Sequence, residues 1–308
     1  MKLCTAWSRF AARVALVVVA GVWCGRAARA ENVVNPAERP GAESTAPSPA
    51  RLPSYEMPPV TVEGVKPSSL REEDRIGDNL QPRWTATRRF GETRVYVRPP
   101  GDFEFEYWMI GYSPRHNGTH HIENQYEVEM GLPYRFQIDL YLVSEQNGTS
   151  GSWQLTQQKL EGRWALADWG KIWGNPTLYL EWTAMNLEPD HLEGKLLLGD
   201  EIAPRWHWGA NFVCENQMGW HHEDSYEFTG GVSYTVVDEK FSVGGEWKFA
   251  YVDDNTDRGH YTSDESLLGP SIQLRPLPQM HINVAGLLGT SKNSPELKVL
   301  MVMGWEFA

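Results

Sequence analysis

From Phe103 onward, apolar and polar residues alternate with a period of two along most of the remaining chain. In the segment 134–142 every second residue is apolar, and most residues between them are polar. Alternation over such lengths is typical of a β-strand with one apolar and one polar face. Segments of about ten residues are long enough for a tilted strand to cross a lipid bilayer. The sequence therefore predicts an all-β protein.

Twelve segments of this kind predict an antiparallel transmembrane β-barrel of about 12 strands with a short N-terminal arm. The predicted strand centres are Tyr107, Tyr126, Ile138, Leu160, Leu180, Leu196, Phe212, Val232, Trp247, Ile272, Val284 and Met301. Tight turns are expected at 131–133, 238–240 and 276–279, and longer returns at 167–176 and 199–205. The other connections are longer and more polar, one of them reaching from 252 to 266.

A soluble β-sandwich or a periplasmic lipocalin-like barrel would show the same alternation. The polar face predicted here is charged, which a small packed core would not tolerate. Tryptophans also lie near predicted strand ends, where the aromatic girdles of membrane barrels are found. They are Trp108, Trp169, Trp173, Trp182, Trp206, Trp220 and Trp305. Both observations favour the membrane barrel.

The N-terminal third divides into three segments before the barrel, which we assign to residues 101–308. Residues 1–30 combine arginines, an apolar run and a final Ala-Arg-Ala, the order of a secretory signal peptide. Residues 31–68 are rich in Pro, Ala and Ser and predict a disordered linker. Residues 69–100 form an arginine-rich arm. We therefore expect Sec-type export and signal-peptide cleavage, followed by insertion into the bacterial outer membrane.

The polar face of the predicted strands is rich in carboxylates, which we assign to the lumen. The predicted lumen-lining residues are Glu104, Glu106, Glu123, Glu127, Glu129, Arg135, Asp139, Glu181, Glu215, Glu227, Glu246, Lys248 and Lys298. Crowded carboxylates need water or cations nearby. The functional interpretation is a cation-preferring pore. The alternative is a structural ladder of ion pairs in a narrow barrel with a closed lumen.

The arginines of the arm suggest a plug that folds into the lumen. Arg83, Arg88, Arg89 and Arg94 are the predicted contacts with the lumenal carboxylates, because the guanidinium group matches carboxylate geometry. The alternative is a disordered periplasmic tail.

Other functional classes find little support in the sequence. The net charge of -12 argues against nucleic acid as a partner. No Ser/His or Asp/His motif of a barrel hydrolase is recognisable, so we expect no enzymatic activity and no cofactor. Histidines such as His121 and His191 fall near predicted outer loops without the spacing of a metal site. We interpret them as solvated residues.

The barrel region resembles the outer-membrane transporters of the MetA pathway of phenol degradation. The residues that carry the resemblance are the segment 99–106, which opens the barrel, and the segment 126–137 around the first tight turn. The resemblance implies a barrel of this size and uptake of small, in part aromatic, molecules. It provides no functional residues.

Taken together, the sequence predicts an outer-membrane channel or transporter for small molecules. The rival hypothesis is a structural or adhesive barrel without transport. The expected partners are outer-membrane lipid, an unknown small solute and the barrel assembly machinery. The last partner is inferred because the final strand is apolar and carries Phe307 next to the C-terminus.

Overall fold

The computed structural model describes residues 71–115, 118–148, 151–219, 223–256 and 259–307, without the side chains of 254–261. Twelve antiparallel strands form a closed barrel in which each strand pairs with its neighbours in sequence, and the last strand pairs with the first. These strands are β3 (Phe103–Ser113), β4 (His121–Leu132), β5 (Phe136–Asn147), β6 (Gln154–Ala165), β7 (Thr177–Met185), β8 (His191–Ala203), β9 (Trp206–Gln217), β10 (Glu223–Val237), β11 (Phe241–Thr256), β12 (Gly259–Leu277), β13 (Met280–Gly289) and β14 (Leu297–Phe307). The predicted twelve-strand barrel is confirmed.

All twelve predicted strand centres fall within these strands, but two connections were predicted wrongly. The expected long return at 199–205 is only two residues long, because β8 continues to Ala203 and β9 begins at Trp206. The expected long loop at 252–266 is largely strand, since β11 and β12 remain paired up to Thr256 and Gly259. Polar residues at these positions did not end the strands, because a strand ladder is held by backbone hydrogen bonds whatever the side chains are.

The connections define two ends of the barrel. Most of the short turns, including those after Leu132, Val237 and Leu277, join the strands at one end, which we call the turn end. The opposite end, called the loop end, carries most of the longer connections. By the usual arrangement of such barrels, we expect the turn end to face the periplasm.

The outer surface of the barrel carries a belt of exposed apolar side chains. Phe212 and Leu180, for example, remain 51% and 57% exposed. A continuous apolar surface of this kind is not tolerated in water and indicates contact with lipid. No helical segment in the described part of the chain has the length and apolarity to span a bilayer.

The arm precedes the barrel and belongs to the same compact unit, which comprises Gly64–Ala308. It contains a small hairpin of β1 (Arg75–Ile76) and β2 (Gln81–Pro82) and a single 3-10 turn at Arg83–Thr85. It then continues to β3 without helix or strand, with bends at 86–87 and 91–92. The predicted signal peptide (1–30) and linker (31–68) lie outside the described residues.

Candidate functional site

The predicted lumen-lining residues, with one exception, lie on inward-facing strand positions. Those in the half of the lumen nearest the turn end, the turn half, are fully or almost fully buried: Glu104, Glu106, Glu127, Glu129 and Asp139. Glu246 is buried beside the arm. Those in the other half, the loop half, line an open cavity: Glu123, Glu181, Glu215, Glu227, Lys248 and Lys298.

The exception is Arg135, whose predicted place in the lumen is wrong. It ends the tight turn at Pro133–Arg135 with a φ of 65° and lies outside the strands. Its guanidinium pairs with Asp168 at 3.0 Å and donates to the Ala165 carbonyl, joining two connections at the turn end. Alternation assigned it to the polar face, but the turn interrupts the period of two just there.

Arginines of the arm pair with carboxylates of β3 and β4 in the turn half. Arg88 Nε lies 2.9 Å from Glu106, and the Arg88 guanidinium stacks 3.7 Å from the centroid of the Trp108 ring. Arg94 pairs with Glu127 at 2.5 Å and with Glu129 at 2.8 Å. Because the carboxylates are buried, each arginine neutralises charge that water cannot reach.

A third arginine of the arm, Arg98, was not among the predicted plug contacts. It pairs with Glu104 and, at 3.3 Å, with Glu129. It also donates to the Ala86 carbonyl. Arg98 therefore connects two parts of the arm with each other and the arm with the barrel. Its position in the run of arginines preceding Pro99 was the available sequence signal.

The barrel contributes two further cationic groups to the turn half. Arg163 pairs with Asp139 at 2.9 Å and with Glu161. His281 Nε2 lies 2.7 Å from Glu104, and its Nδ1 lies 2.9 Å from the Asn283 side-chain oxygen. Because both ring nitrogens face side-chain oxygens, this geometry favours the doubly protonated imidazolium.

The turn half therefore depends on the arm for its charge balance. Six carboxylates, those of Glu104, Glu106, Glu127, Glu129, Asp139 and Glu161, face four arginines and one imidazolium. Three of the four arginines belong to the arm. Without the arm, the same six carboxylates would face only Arg163 and His281.

The other two predicted plug contacts make different interactions. Arg83 pairs with Glu239 in a turn, at 2.6 Å. Arg89 pairs with Glu72 of the arm itself at 2.7 Å and donates to the Ser242 hydroxyl. Neither reaches the carboxylates of β3 and β4.

Apolar side chains seal the arm against the barrel. Residues 84–99 are all buried except Glu92 and Arg94, which are partly exposed. Trp84 contacts Trp169 edge to face with ring centroids 5.7 Å apart, and Trp169 also packs on Tyr96. Trp108 and Trp169 had both been expected at the membrane interface, but Trp108 faces the lumen beside Arg88, and Trp169, in the connection after β6, is buried against the arm. Both had been assigned from their proximity to strand ends, which does not reveal the direction of the side chain.

A cavity of about 340 Å³ occupies the loop half above the arm. Its charged residues form pairs between or along strands, with distances of 3.2 Å for Lys159–Glu181, 2.7 Å for Lys195–Glu193 and 2.8 Å for Lys248–Glu227. Its lining contains six carboxylates, from Glu92, Glu123, Glu181, Glu193, Glu215 and Glu227. It also contains six basic groups, from Arg88, Arg94, Lys159, Lys195, Lys248 and Lys298.

Five charged residues on β6 and β8 face the lumen but were not among the predicted lumen-lining residues. They are Lys159, Glu161, Arg163, Glu193 and Lys195. Alternation is weak in both strands because Gly162 and Gly194 occupy outward positions and Leu197 points inward, where it is buried. Charged residues spaced by two, as in Lys159–Glu161–Arg163, were the signal that could have found them.

The tip of the arm, Gly91–Glu92, is clamped to the barrel. The amides of Gly91 and Glu92 donate to the two carboxylate oxygens of Glu246 at 3.1 Å and 2.8 Å. The Glu92 side chain lies 2.5 Å from Lys298 Nζ. Burial raises the pKa of the Glu92 carboxyl, but the charges of Lys298, Lys248 and Lys195 outweigh burial, so its pKa lies below the ordinary value.

Some carboxylate clusters have the composition of a cation site. Glu104, Glu106 and His281 lie close enough together to share an ion, but the arginines already occupy these carboxylates. At the loop end, the side chains of His121, Glu123 and Glu145 are also close enough together to share an ion. His121 Nδ1, however, is 2.8 Å from the Asn147 side-chain oxygen. The chemistry of these groups gives no specific indication of a metal.

No family model and no curated protein matches the chain. Among solved structures, it is similar to the COG4313 outer membrane channel from Pseudomonas putida F1, with a TM-score of 0.52 and 10% identity over 69% of this chain and 98% of that chain. The NanC porin and the KdgM porin each give a TM-score of 0.45, with 10% and 8% identity over 67% of this chain and 99% of theirs. Of these three structures, the first exceeds a TM-score of 0.5. Together with the closed sheet and its apolar belt, this similarity establishes the fold of an outer-membrane β-barrel.

Proposed function

We propose that this protein is an outer-membrane channel for small solutes whose N-terminal arm closes the turn half of the lumen. The observation that carries the proposal is the contrast between an open cavity in the loop half and a buried arm directly below it. Passage of a solute requires the arm to move, because its residues from Trp84 to Val97 leave little space beside them.

A reversible cross-link between the arm and the wall tests this proposal. A Cβ atom at Gly91 would lie 3.7 Å from Ala285 Cβ, within the roughly 3.5–4.5 Å that a disulfide requires. The Gly91→Cys/Ala285→Cys variant is prepared in a Cys214→Ser background, because Cys214 is an exposed free thiol. Single-channel current in a planar bilayer is then measured for the oxidised and the reduced protein.

We expect current from the reduced protein and its loss on oxidation. Gly91→Cys alone serves as the matched control and should conduct under both conditions. Equal current from the oxidised and reduced double variant would show that movement of the arm tip is not needed. Absence of current from every folded form would support the second candidate, a structural barrel with a closed lumen. The buried ion pairs of the arm are the observation that favours this candidate.

We further propose that cation preference depends on the position of the arm. The cavity lining is balanced in charge, so the loop half should select weakly between cations and anions. Departure of the arm would expose six carboxylates facing Arg163 and His281, and this excess should favour cations. The reversal potential of the conducting, reduced double variant in a potassium chloride gradient tests this, and we expect it to shift toward the potassium equilibrium potential.

The remaining functional expectations stay predictions. Uptake of small aromatic molecules rests on the resemblance to transporters of the MetA pathway. The absence of enzymatic activity, signal-peptide cleavage and contact with the barrel assembly machinery rest on the sequence alone.

A further inference from the structure

The floor of the cavity in the loop half is formed in part by the tip of the arm. Glu92 and Arg94 are the partly exposed residues within the otherwise buried segment 84–99, and both line the cavity. Arg88 and Gly91 also line it, so a solute that enters the cavity contacts the arm around its tip.

Glu92 of the arm carries the carboxylate that pairs with Lys298 of the lumen. If the arm moves away, this carboxylate moves with it. Lys159, Lys195 and Lys248 pair with carboxylates of the barrel strands. Lys298, by contrast, pairs with Glu92 of the arm. The Lys298 ammonium lies 2.5 Å from Glu92 Oε1, a charge-assisted contact between an arm residue and a strand residue.

The burial of Lys298 determines what can replace Glu92. The side chains of Lys298 and Glu92 are only 6% and 8% exposed. Removing one partner of a buried ion pair leaves an uncompensated charge, which is strongly unfavourable. Departure of the arm tip is therefore favoured only when another anion takes the place of the Glu92 carboxylate.

We propose that Glu92 is a tethered ligand in a binding site for small carboxylate-bearing solutes, and that such a solute releases the arm tip by replacing it on Lys298. The inference rests on the proposed channel function. The bound carboxylate acts as an effector that opens the channel, and the solute that passes through can be a different one. The site would comprise Lys298, the neighbouring Lys248 and the ring of Tyr112, whose centroid is 5.3 Å from Lys298 Nζ. The cavity of about 340 Å³ lies near the lower end of the roughly 300–1,000 Å³ typical of ligand pockets, which suits a small organic acid.

Binding is measured first, without reference to conduction. Isothermal titration of the purified chain from residue 31 in detergent compares propionate with propionamide, its neutral analogue. Glu92→Gln removes the competing carboxylate, and we expect propionate to bind at least about fivefold more tightly than to the unaltered chain. Lys298→Gln should abolish binding. Propionamide should bind none of the variants.

Matched controls lie in the connection between β13 and β14, outside the lumen. Glu296→Gln and Lys292→Gln remove the same charges from exposed positions and should leave propionate affinity unchanged. If Lys298→Gln fails to fold, the double variant Glu92→Gln/Lys298→Gln is used in its place, because it removes both charges of the pair together. Equal propionate affinity of Glu92→Gln and the unaltered chain would overturn the proposal.

Gating is measured second, in planar bilayers containing potassium chloride. Propionate should increase the open probability of the unaltered channel, whereas propionamide should not. The effect should vanish when Gly91→Cys and Ala285→Cys are cross-linked. Propionate binding without any change in current from a conducting channel would refute the release of the arm tip. Binding by a protein that never conducts would refute the channel function and leave the carboxylate site in place.

Discussion

In the turn half of the lumen the strand carboxylates obtain their counter-charges from the arm, whereas in the loop half neighbouring strands supply them. Glu104 and Glu106 of β3 depend on Arg98 and Arg88. Glu227 of β10, in the loop half, is paired with a lysine of the adjacent β11. Both halves place carboxylates on the barrel strands, but the turn half pairs them mainly with arginines and the loop half with lysines. Apart from Lys298, which pairs with Glu92 of the arm, the charged pairs of the loop half are formed within the barrel, while those of the turn half are complete only with the arm in place.

The difference also separates a dry network from a wet one. Glu104, Glu106 and Glu127 are fully buried, so that water cannot replace an arginine that is lost. Lys248 and Glu227 keep 15% and 19% of their side-chain surface exposed beside the cavity. Equivalent substitutions should consequently cost far more stability in the turn half than in the loop half.

The largest effect is expected for Arg98→Met. This substitution leaves Glu104 and Glu129 short of a counter-charge inside the turn half, and should lower the free energy of unfolding by about 3–5 kcal/mol. Thermal or denaturant unfolding in detergent measures the loss. Arg135→Gln is the matched control, because its pair with Asp168 is about one-third exposed and should contribute about 0–1 kcal/mol. Equal losses would contradict the distinction between a dry network and an exposed pair.

A second, smaller effect is expected when the carboxylate is removed together with its arginine. Glu104→Gln added to Arg98→Met should recover about 0.5–3 kcal/mol of the lost stability, because one of the two carboxylates left without Arg98 is then neutral. The four proteins of the double-mutant cycle are compared by unfolding. Additive losses would indicate that Arg98 acts through its bond to the Ala86 carbonyl and not through Glu104.

A smaller loss still is expected in the loop half for Lys248→Gln. Water in the cavity can solvate the Glu227 carboxylate that is left behind, so the cost should be about 1 kcal/mol or less. The same unfolding assay gives the value. A loss as large as that of Arg98→Met would mean that the two halves of the lumen do not differ in hydration.

The smallest effect concerns the pH dependence of the arm tip. A carboxyl whose pKa is lower in the folded state stabilises the protein above its unfolded pKa, here close to 4.5, and loses this contribution as the pH falls through the folded pKa. The difference in melting temperature between the unaltered chain and Glu92→Gln should therefore stay constant from about pH 7 to pH 5 and shrink at lower pH. A difference that grows on acidification would contradict the pairing of Glu92 with Lys298.

Strands with a clean period of two could be predicted well, and strands with glycines or inward apolar residues less so. On β4, alternation placed Glu127 and Glu129 on the inward face, where the structure has them. On β8, Leu197 points inward, and the inward charges of Glu193 and Lys195 were therefore missed. Alternation detects the two faces of a strand only when their polarities differ.

The sequence by itself determined the number of strands, their antiparallel order and the facing of most side chains, because these follow from local alternation and from connection length. Tertiary structure alone decided which arginine meets which carboxylate. Arg94 and Glu127, for example, are 33 residues apart in the chain. Such pairs depend on the path of the arm through the lumen, which is set by the packing of residues such as Trp84 against the barrel wall. No local pattern encodes that path, since it arises only once the sheet has closed around the arm.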